Sequence, residues 1–228
     1  MQRSVALSLL FGLGLSLAQN EQIAYIYDLP NYDESGTFNW MDSYCADFRD
    51  CDHIIGDDMI SSTCVYGVWL FYSEYYYNYQ NFGAVEWGYG DDFCWNLNNL
   101  LNNEVSSLRY AGDTYNWRYD TITLYEFDLF FGFEVYEWAD MPEVPGTIAT
   151  VGSLIVTGQN YWTVYTEPFF NGNHACISVQ TGQYVGFAPD LSGVFGISTV
   201  RSFRRGCFSD NKIHLNSDRH GFVVKARE

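Results

Sequence analysis

"DTITLYEFDLFFGFEVYEW", residues 120–138, decides the fold. Aromatic and aliphatic side chains fall at close to alternate positions on both sides of Gly132, the pattern of two strands joined by a hairpin. Three other stretches read the same way: "QIAYIYDLPNYDESGTFNW" from Gln22, "GVWLFYSEYYYNYQNFGAVEW" from Gly67 and "YWTVYTEPFFNGNHACISV" from Tyr161. Their recurrence at roughly 40 residues makes the chain a four-segment repeat. No segment sustains a 3.6-residue apolar period. "CWNLNNLLNNEVSSL", residues 94–108, comes nearest, but its asparagines favour turns and admit at most one helical turn. Four strands per segment predict an all-β chain of two antiparallel Greek-key β-sandwich domains. Their expected bounds are 22–112 and 120–207, joined by "GDTYNWRYD" (112–120). Residues 208–228 lose the pattern and are expected to form a C-terminal tail.

Residues 1–18 carry Arg3, an apolar run and small residues at Ser16 and Ala18, which predicts a secretory signal cleaved after Ala18. That run is shorter than the roughly 20 residues of a spanning helix, and no later stretch is long and apolar enough to be a transmembrane segment. The expected compartment is therefore secreted and extracellular. There the even set Cys45, Cys51, Cys64, Cys94, Cys176 and Cys207 is expected to be oxidised. Six cysteines allow 15 pairings, and spacing alone does not choose. Cys45, Cys51 and His53 match no closed zinc spacing.

The formal charge is −17. Seven bases (Arg201, Arg204, Arg205, Lys212, Arg219, Lys225, Arg227) and only three acids (Asp210, Asp218, Glu228) lie after position 200, so the body is strongly acidic. Such a surface argues against nucleic acid as a partner and in favour of cations. Enzyme signatures are absent: there is no Gly-x-Ser-x-Gly elbow, no His-Glu-x-x-His helix and no phosphate loop. His53, His174, His214 and His220 fall in polar stretches, so no catalytic role is expected.

Two six-residue windows stand out: Asp57-Asp58-Met59-Ile60-Ser61-Ser62 and Asn102-Asn103-Glu104-Val105-Ser106-Ser107. Two Asx residues, two of any type, Ser or Thr, then Ser should occur by chance about 0.04 times in this composition. Here it occurs twice, one repeat apart.

The chain resembles the βγ-crystallin family. That family's Greek key has two aromatics five positions apart and a glycine two beyond, matched by Tyr125, Phe130, Gly132 and by Tyr165, Phe170, Gly172. In the first two segments Tyr27 and Tyr32, and Tyr72 and Tyr77, keep the aromatic spacing. Glycine is delayed to Gly36 and Gly83, which predicts longer hairpins. The two windows match the family's calcium signature, whereas Ile148–Ser153 and Val194–Thr199, aligned to the same place, lack its Asx pair.

The resemblance implies Ca2+ in the first domain only. One site would use the Asp58 carbonyl and Ser61 hydroxyl with the hairpin near Ser73 and Glu74. The other would use the Asn103 carbonyl and Ser106 hydroxyl with the hairpin near Asp28 and Asp33. Asp57, Ser62, Asn102 and Ser107 would support the loops. Few formal charges per site imply weak to moderate affinity. Cys176 is expected to pair with Cys207, and the other four cysteines within the first domain.

The implied role is a non-enzymatic structural or protective protein, with extracellular matrix or carbohydrate as further partners. The alternatives are an enzyme inhibitor, or a carbohydrate-binding or host-defence module that exposes a row from Tyr75, Tyr76, Tyr79, Trp87 or Trp162.

Overall fold

The computed structural model describes residues 21–51, 55–148 and 150–227. The expected signal sequence and His53 lie outside the described residues. Strands β1 (Ile23–Tyr27), β2 (Phe38–Met41), β3 (Ser62–Tyr72), β4 (Gly83–Asn96) and β5 (Ser107–Tyr110) build the first sandwich. β3 and β4 each serve both of its layers. The first half of β3 pairs with β1 and the end of β4; beyond Gly67 it pairs with β5 and the start of β4. The layers part where Gly67 faces Gly90 beside a register shift. Gly67 sits at φ +98, and a Cβ there would lie 2.0 Å from Gln22 Oε1, so glycine is required. Gln22 plugs the parting: its Nε2 donates to Ala111 O at 2.6 Å and its Oε1 accepts the Val68 N–H at 2.8 Å.

The second sandwich contains β6 (Thr121–Tyr125), β7 (Glu134–Glu137), β8 (Ser153–Thr157), β9 (Trp162–Glu167), β10 (Asn171–Ser178), β11 (Val185–Ala188) and β12 (Ser202–Arg205). β11 belongs to the fourth segment yet pairs with β8 of the third. Met141 of the third segment returns the exchange by bridging Phe203, as Cys45 bridges Leu108 in the first sandwich. The expected pair of interlocked Greek-key sandwiches is thus observed.

Each sandwich has its own core, around Ile26, Trp69, Phe71 and Trp95 in the first and Ile122, Leu124, Trp162 and Phe203 in the second. A third core lies between them. Alternation along β3 sends Trp69 and Phe71 inward, and Val68, Leu70 and Tyr72 outward against Tyr125, Phe130, Phe131 and Phe187. This double burial explains why "VWLFY" reads as an unbroken apolar run.

At the centre of the junction Arg109 is 1% exposed. Its guanidinium donates to Phe130 O at 2.7 Å, Gly132 O at 3.0 Å and Tyr72 Oη at 3.0 Å, and pairs with Glu134 at 3.3 Å. The rings of Tyr77 and Tyr125 cover its faces at 4.3 and 4.7 Å. Burial pushes the Glu134 carboxyl up, against the opposing pull of Arg109 and the Tyr44 hydroxyl.

Residues 208–228 are not a tail, which corrects the reading above. β13 (Lys212–His214) adds to β10 in parallel, and β14 (His220–Lys225) adds antiparallel to β4 of the other sandwich. Leu215 enters the second core and Phe222 packs on the first. Lys225 Nζ reaches Asp128 Oδ1 at 2.7 Å and Asn81 Oδ1 at 2.9 Å. The strands are short and unpatterned because their partners are already half-built edges. The disulfides are Cys45–Cys51, Cys64–Cys94 and Cys176–Cys207, each within one half as expected.

Arg109→Ala would strip buried Glu134 of its countercharge and the Gly132 carbonyl of its donor, leaving Tyr44 and Tyr72 as the partners of Glu134 and the Phe130 carbonyl. The expected loss is about 3–5 kcal/mol of unfolding free energy in urea. A loss below about 1 kcal/mol would mean that the junction does not depend on this pair.

Candidate metal sites

All four segments turn their hairpins through a left-handed pair whose second residue is Tyr32 (φ +60), Tyr77 (φ +61), Phe130 (φ +63) or Phe170 (φ +62), and in the second segment Asn78 (φ +55) extends the run to three. Each such residue costs about 1–2 kcal/mol outside glycine. A serine opposite each hairpin offsets part of that strain. Ser62 Oγ accepts the Tyr32 N–H at 3.0 Å and donates to Leu29 O at 2.6 Å. Ser107 does the same for Tyr77 and Glu74, Ser153 for Phe130 and Phe127, and Ser202 for Phe170 and Glu167. Ser62 and Ser107 therefore clamp hairpins, where they were expected to support the calcium loops.

This fourfold clamp corrects one alignment. In the fourth segment the window ends at Ser202, not Thr199, so its fifth position is Arg201. The backbone agrees: Ser61, Ser106, Gly152 and Arg201 N–H groups donate to Tyr27, Tyr72, Tyr125 and Tyr165 carbonyls respectively. The second sandwich thus has no hydroxyl at either fifth position.

In the first sandwich the two windows face each other. Asp58 N–H donates to Val105 O at 3.3 Å and Asn103 N–H to Ile60 O at 2.9 Å. Asp58 (φ +57) and Asn103 (φ +59) hold the tips in left-handed conformations, which Asx residues tolerate well. The hydroxyls cross over: Ser106 Oγ is 3.4 Å from Asp58 Oδ1, and Ser61 Oγ is 3.0 Å from Asn103 Oδ1. Asp58 was expected beside Ser61 and Asn103 beside Ser106. The structure pairs them the other way, because antiparallel packing lays each loop on the other motif's strand.

The hairpins were expected with the other hydroxyls: Ser73–Glu74 stands beside Ser106, not Ser61, and Asp28 beside Ser61, not Ser106. Their side chains differ in what they offer. Ser73 Oγ accepts the Ala84 N–H at 2.8 Å, and Asp28 Oδ1 accepts the Thr37 N–H at 2.8 Å, so both close their own hairpins. Asp33 faces solvent at the hairpin tip, where hydrogen bonds from Ser35 hold its carboxyl below the usual range. Asn102 is exposed and its N–H closes a turn onto Asn98 O.

The two sites are electrically unequal. Around Asp58 stand Asp57, Glu74 and Glu104, whereas Asn103 is neutral. Burial, then the Asp57 and Glu104 charges, pushes the Asp58 carboxyl up; burial likewise raises Glu74, with Asp58 and Glu104 adding and Arg227 opposing. Tyr75 Oη donates to Asp57 Oδ2 at 2.5 Å, and Arg49 lies over the Tyr75 ring at 3.7 Å. Asp57 Oδ1 is buried with no hydrogen-bond partner. Acidic side chains around an orphaned carboxylate oxygen, with hydroxyls close by, are hard oxygen donors of the kind a divalent cation takes. Glu104, inside the second window at its unspecified third position, adds charge that the signature does not mark.

Among the described residues the one grouping of three acidic, cysteine or histidine donors close enough to share an ion is Cys64, Asp92 and Cys94, whose sulfurs are consumed by their disulfide. The aromatic row proposed for sugar stacking is also broken. Trp87 and Trp162 are buried, and only Tyr76 and Tyr79 of that set are well exposed.

No family model and no curated protein match the chain. Among solved structures it is similar to Geodin, a βγ-crystallin from Geodia cydonium, with a TM-score of 0.60, 17% identity, and coverage of 81% of this chain and 98% of that one. A βγ-crystallin from an archaeon aligns with TM-score 0.32 and 19% identity over 38% of this chain and 96% of its own. The fifth crystallin domain of the non-lens protein Absent in melanoma 1 aligns with TM-score 0.30 and 24% identity over 37% and 85%.

Because the serine clamp occurs with and without the Asx signature, Ser107→Ala and Ser153→Ala should each cost about 1–2 kcal/mol in metal-free urea unfolding. Ser106→Ala, which loses the long contact to Asp58 and a weak one to the Tyr75 hydroxyl, should cost less than about 0.5 kcal/mol there. Equal losses at Ser106 and Ser107 would overturn this division of labour.

Proposed function

We propose that this chain, which has the βγ-crystallin fold, is a secreted, non-enzymatic calcium-binding protein with a structural or protective extracellular role. The observation that carries the reading is the orphaned Asp57 carboxylate oxygen beside Asp58, Glu74 and Glu104, at a loop that also matches the calcium signature. Three disulfides in a small-domain chain support an oxidising compartment.

Asp58, Ser106 and the Ser73–Glu74 hairpin would hold one ion, with Asp57 and Glu104 supplying charge. Asn103, Ser61 and the Asp28 hairpin would hold the other. Calcium would relieve the like-charge crowding at the first of these and lock both loops, stabilising the fold by mass action. The second site has fewer carboxylates and should bind more weakly. No residue arrangement favours an enzyme inhibitor.

Calorimetric titration of the mature chain with CaCl2 should therefore show two unequal sites. Ser106→Ala should weaken the tighter one and Ser61→Ala the weaker one, each by about tenfold. Unchanged binding in the double variant would exclude these ligands.

The acidic site also predicts a pH dependence. Carboxyls whose folded-state pKa is raised favour the fold when protonated, and that contribution is lost as pH rises through the raised value. In EDTA, Asp58 and Glu74 should thus lower the melting temperature as pH rises from about 4 to about 7, and calcium should suppress the loss. A calcium-induced shift that does not widen with pH would count against the site.

A further inference from the structure

At the junction of the interdomain linker with the edge of β7 lies a cleft of about 350 Å³, within the roughly 300–1,000 Å³ typical of small-molecule sites. It is unrelated to the calcium loops. Asp113, Tyr119 and Asp120 of the linker line one part, and Tyr136, Trp138 and Arg205 of the second sandwich the other.

Two features make it a built site. Trp138 is 63% exposed and Tyr119 59% exposed, so two large rings offer bare faces beside the cavity. The polar groups between them are held firmly. Asp120 Oδ1 accepts the Gln159 and Asn160 N–H groups at 2.9 and 3.1 Å, and its Oδ2 accepts Arg205 Nη2 at 2.8 Å. Asp113 Oδ1 accepts the Tyr115 and Asn116 N–H groups at 2.9 and 2.8 Å, and its Oδ2 faces the Tyr136 hydroxyl at 3.3 Å. Burial, then Asp113, pushes the Tyr136 phenol up, so it remains a donor.

We propose that this cleft binds a neutral saccharide. Pyranose rings present C–H faces that stack on aromatic rings, while adjacent hydroxyls need a donor and an acceptor side by side. Asp120, whose two oxygens are filled by Gln159, Asn160 and Arg205, holds the guanidinium in place as the donor, and Asp113 Oδ2, which takes a hydrogen bond from Tyr136, is the acceptor, both already oriented at low entropic cost. Two carboxylates face one guanidinium, so the cleft repels a phosphate or sulfate; an organic cation is the remaining rival, and the titration below includes one.

The test is calorimetric titration of the mature chain, in EDTA and again in calcium, with neutral tetrasaccharides of β-1,4-N-acetylglucosamine, β-1,4-glucose, α-1,4-glucose and mannose, and with tetramethylammonium chloride. At least one tetrasaccharide should bind in both buffers, so that failure of the calcium reading leaves this one standing. Trp138→Ala and Tyr119→Ala, exposed and checked for fold by circular dichroism, should each weaken it by about tenfold or more. Tyr76→Ala, an exposed ring elsewhere, should not. The proposal is overturned if no tetrasaccharide binds, if both cleft variants bind as well as the parent, or if tetramethylammonium alone binds.

Discussion

A guanidinium cannot shed its charge, and burying one costs several kcal/mol unless every donor is met. Arg109 is buried at the meeting of two sandwiches, and its main acceptors are the Phe130 and Gly132 carbonyls of the other sandwich's hairpin. Those carbonyls point inward only because Leu129 and Phe130 adopt left-handed conformations, and the Ser153 hydroxyl holds that turn in place. The relative position of the two halves thus rests on a local turn geometry that all four segments share. The same geometry in the second segment brings the Tyr77 ring over the guanidinium, so one repeated device supplies both the acceptors and the lid.

Much of this was legible from residues alone. Tyr125, Phe130 and Gly132 mark a folded hairpin because a left-handed turn followed by glycine leaves few other choices. The paired windows at Asp57 and Asn102 are conspicuous because two improbable patterns coincide with the repeat. The crossing of Ser61 and Ser106 was hidden, since a linear signature says which residues belong to a loop but not which loop it lies against. Ser202 was hidden for a different reason: Ser198 and Thr199 imitate the hydroxyl pair, and only the hydrogen bonds to Phe170 and Glu167 reveal the true position. β13 and β14 escaped notice because a strand that completes an existing edge needs little alternation of its own.

The halves differ in opposite ways. The first keeps the loop chemistry that suits a cation and lengthens its hairpins; the second keeps the compact aromatic and glycine hairpins and loses the fifth-position hydroxyls to Gly152 and Arg201. Where the first half gathers Asp57, Asp58, Glu74 and Glu104, the second places a clamped turn with no comparable crowding at its hydroxyl positions. A duplicated scaffold can carry this asymmetry because the serine clamp, not the ligand set, maintains the turn.

The strap formed by β13 and β14 has a kinetic consequence. β14 pairs Lys225 with Gly83 and His220 with Gly88, so the sheet of the N-terminal sandwich is closed by residues that follow the whole second sandwich in the chain. Contacts of such long sequence separation form late and slowly. During synthesis the β4 edge, with Trp87 and Glu86 beside it, stays open until β14 has emerged. The N-terminal half must then wait for the C-terminal half, and a ribosome that stops early releases a molecule with an unpaired strand edge.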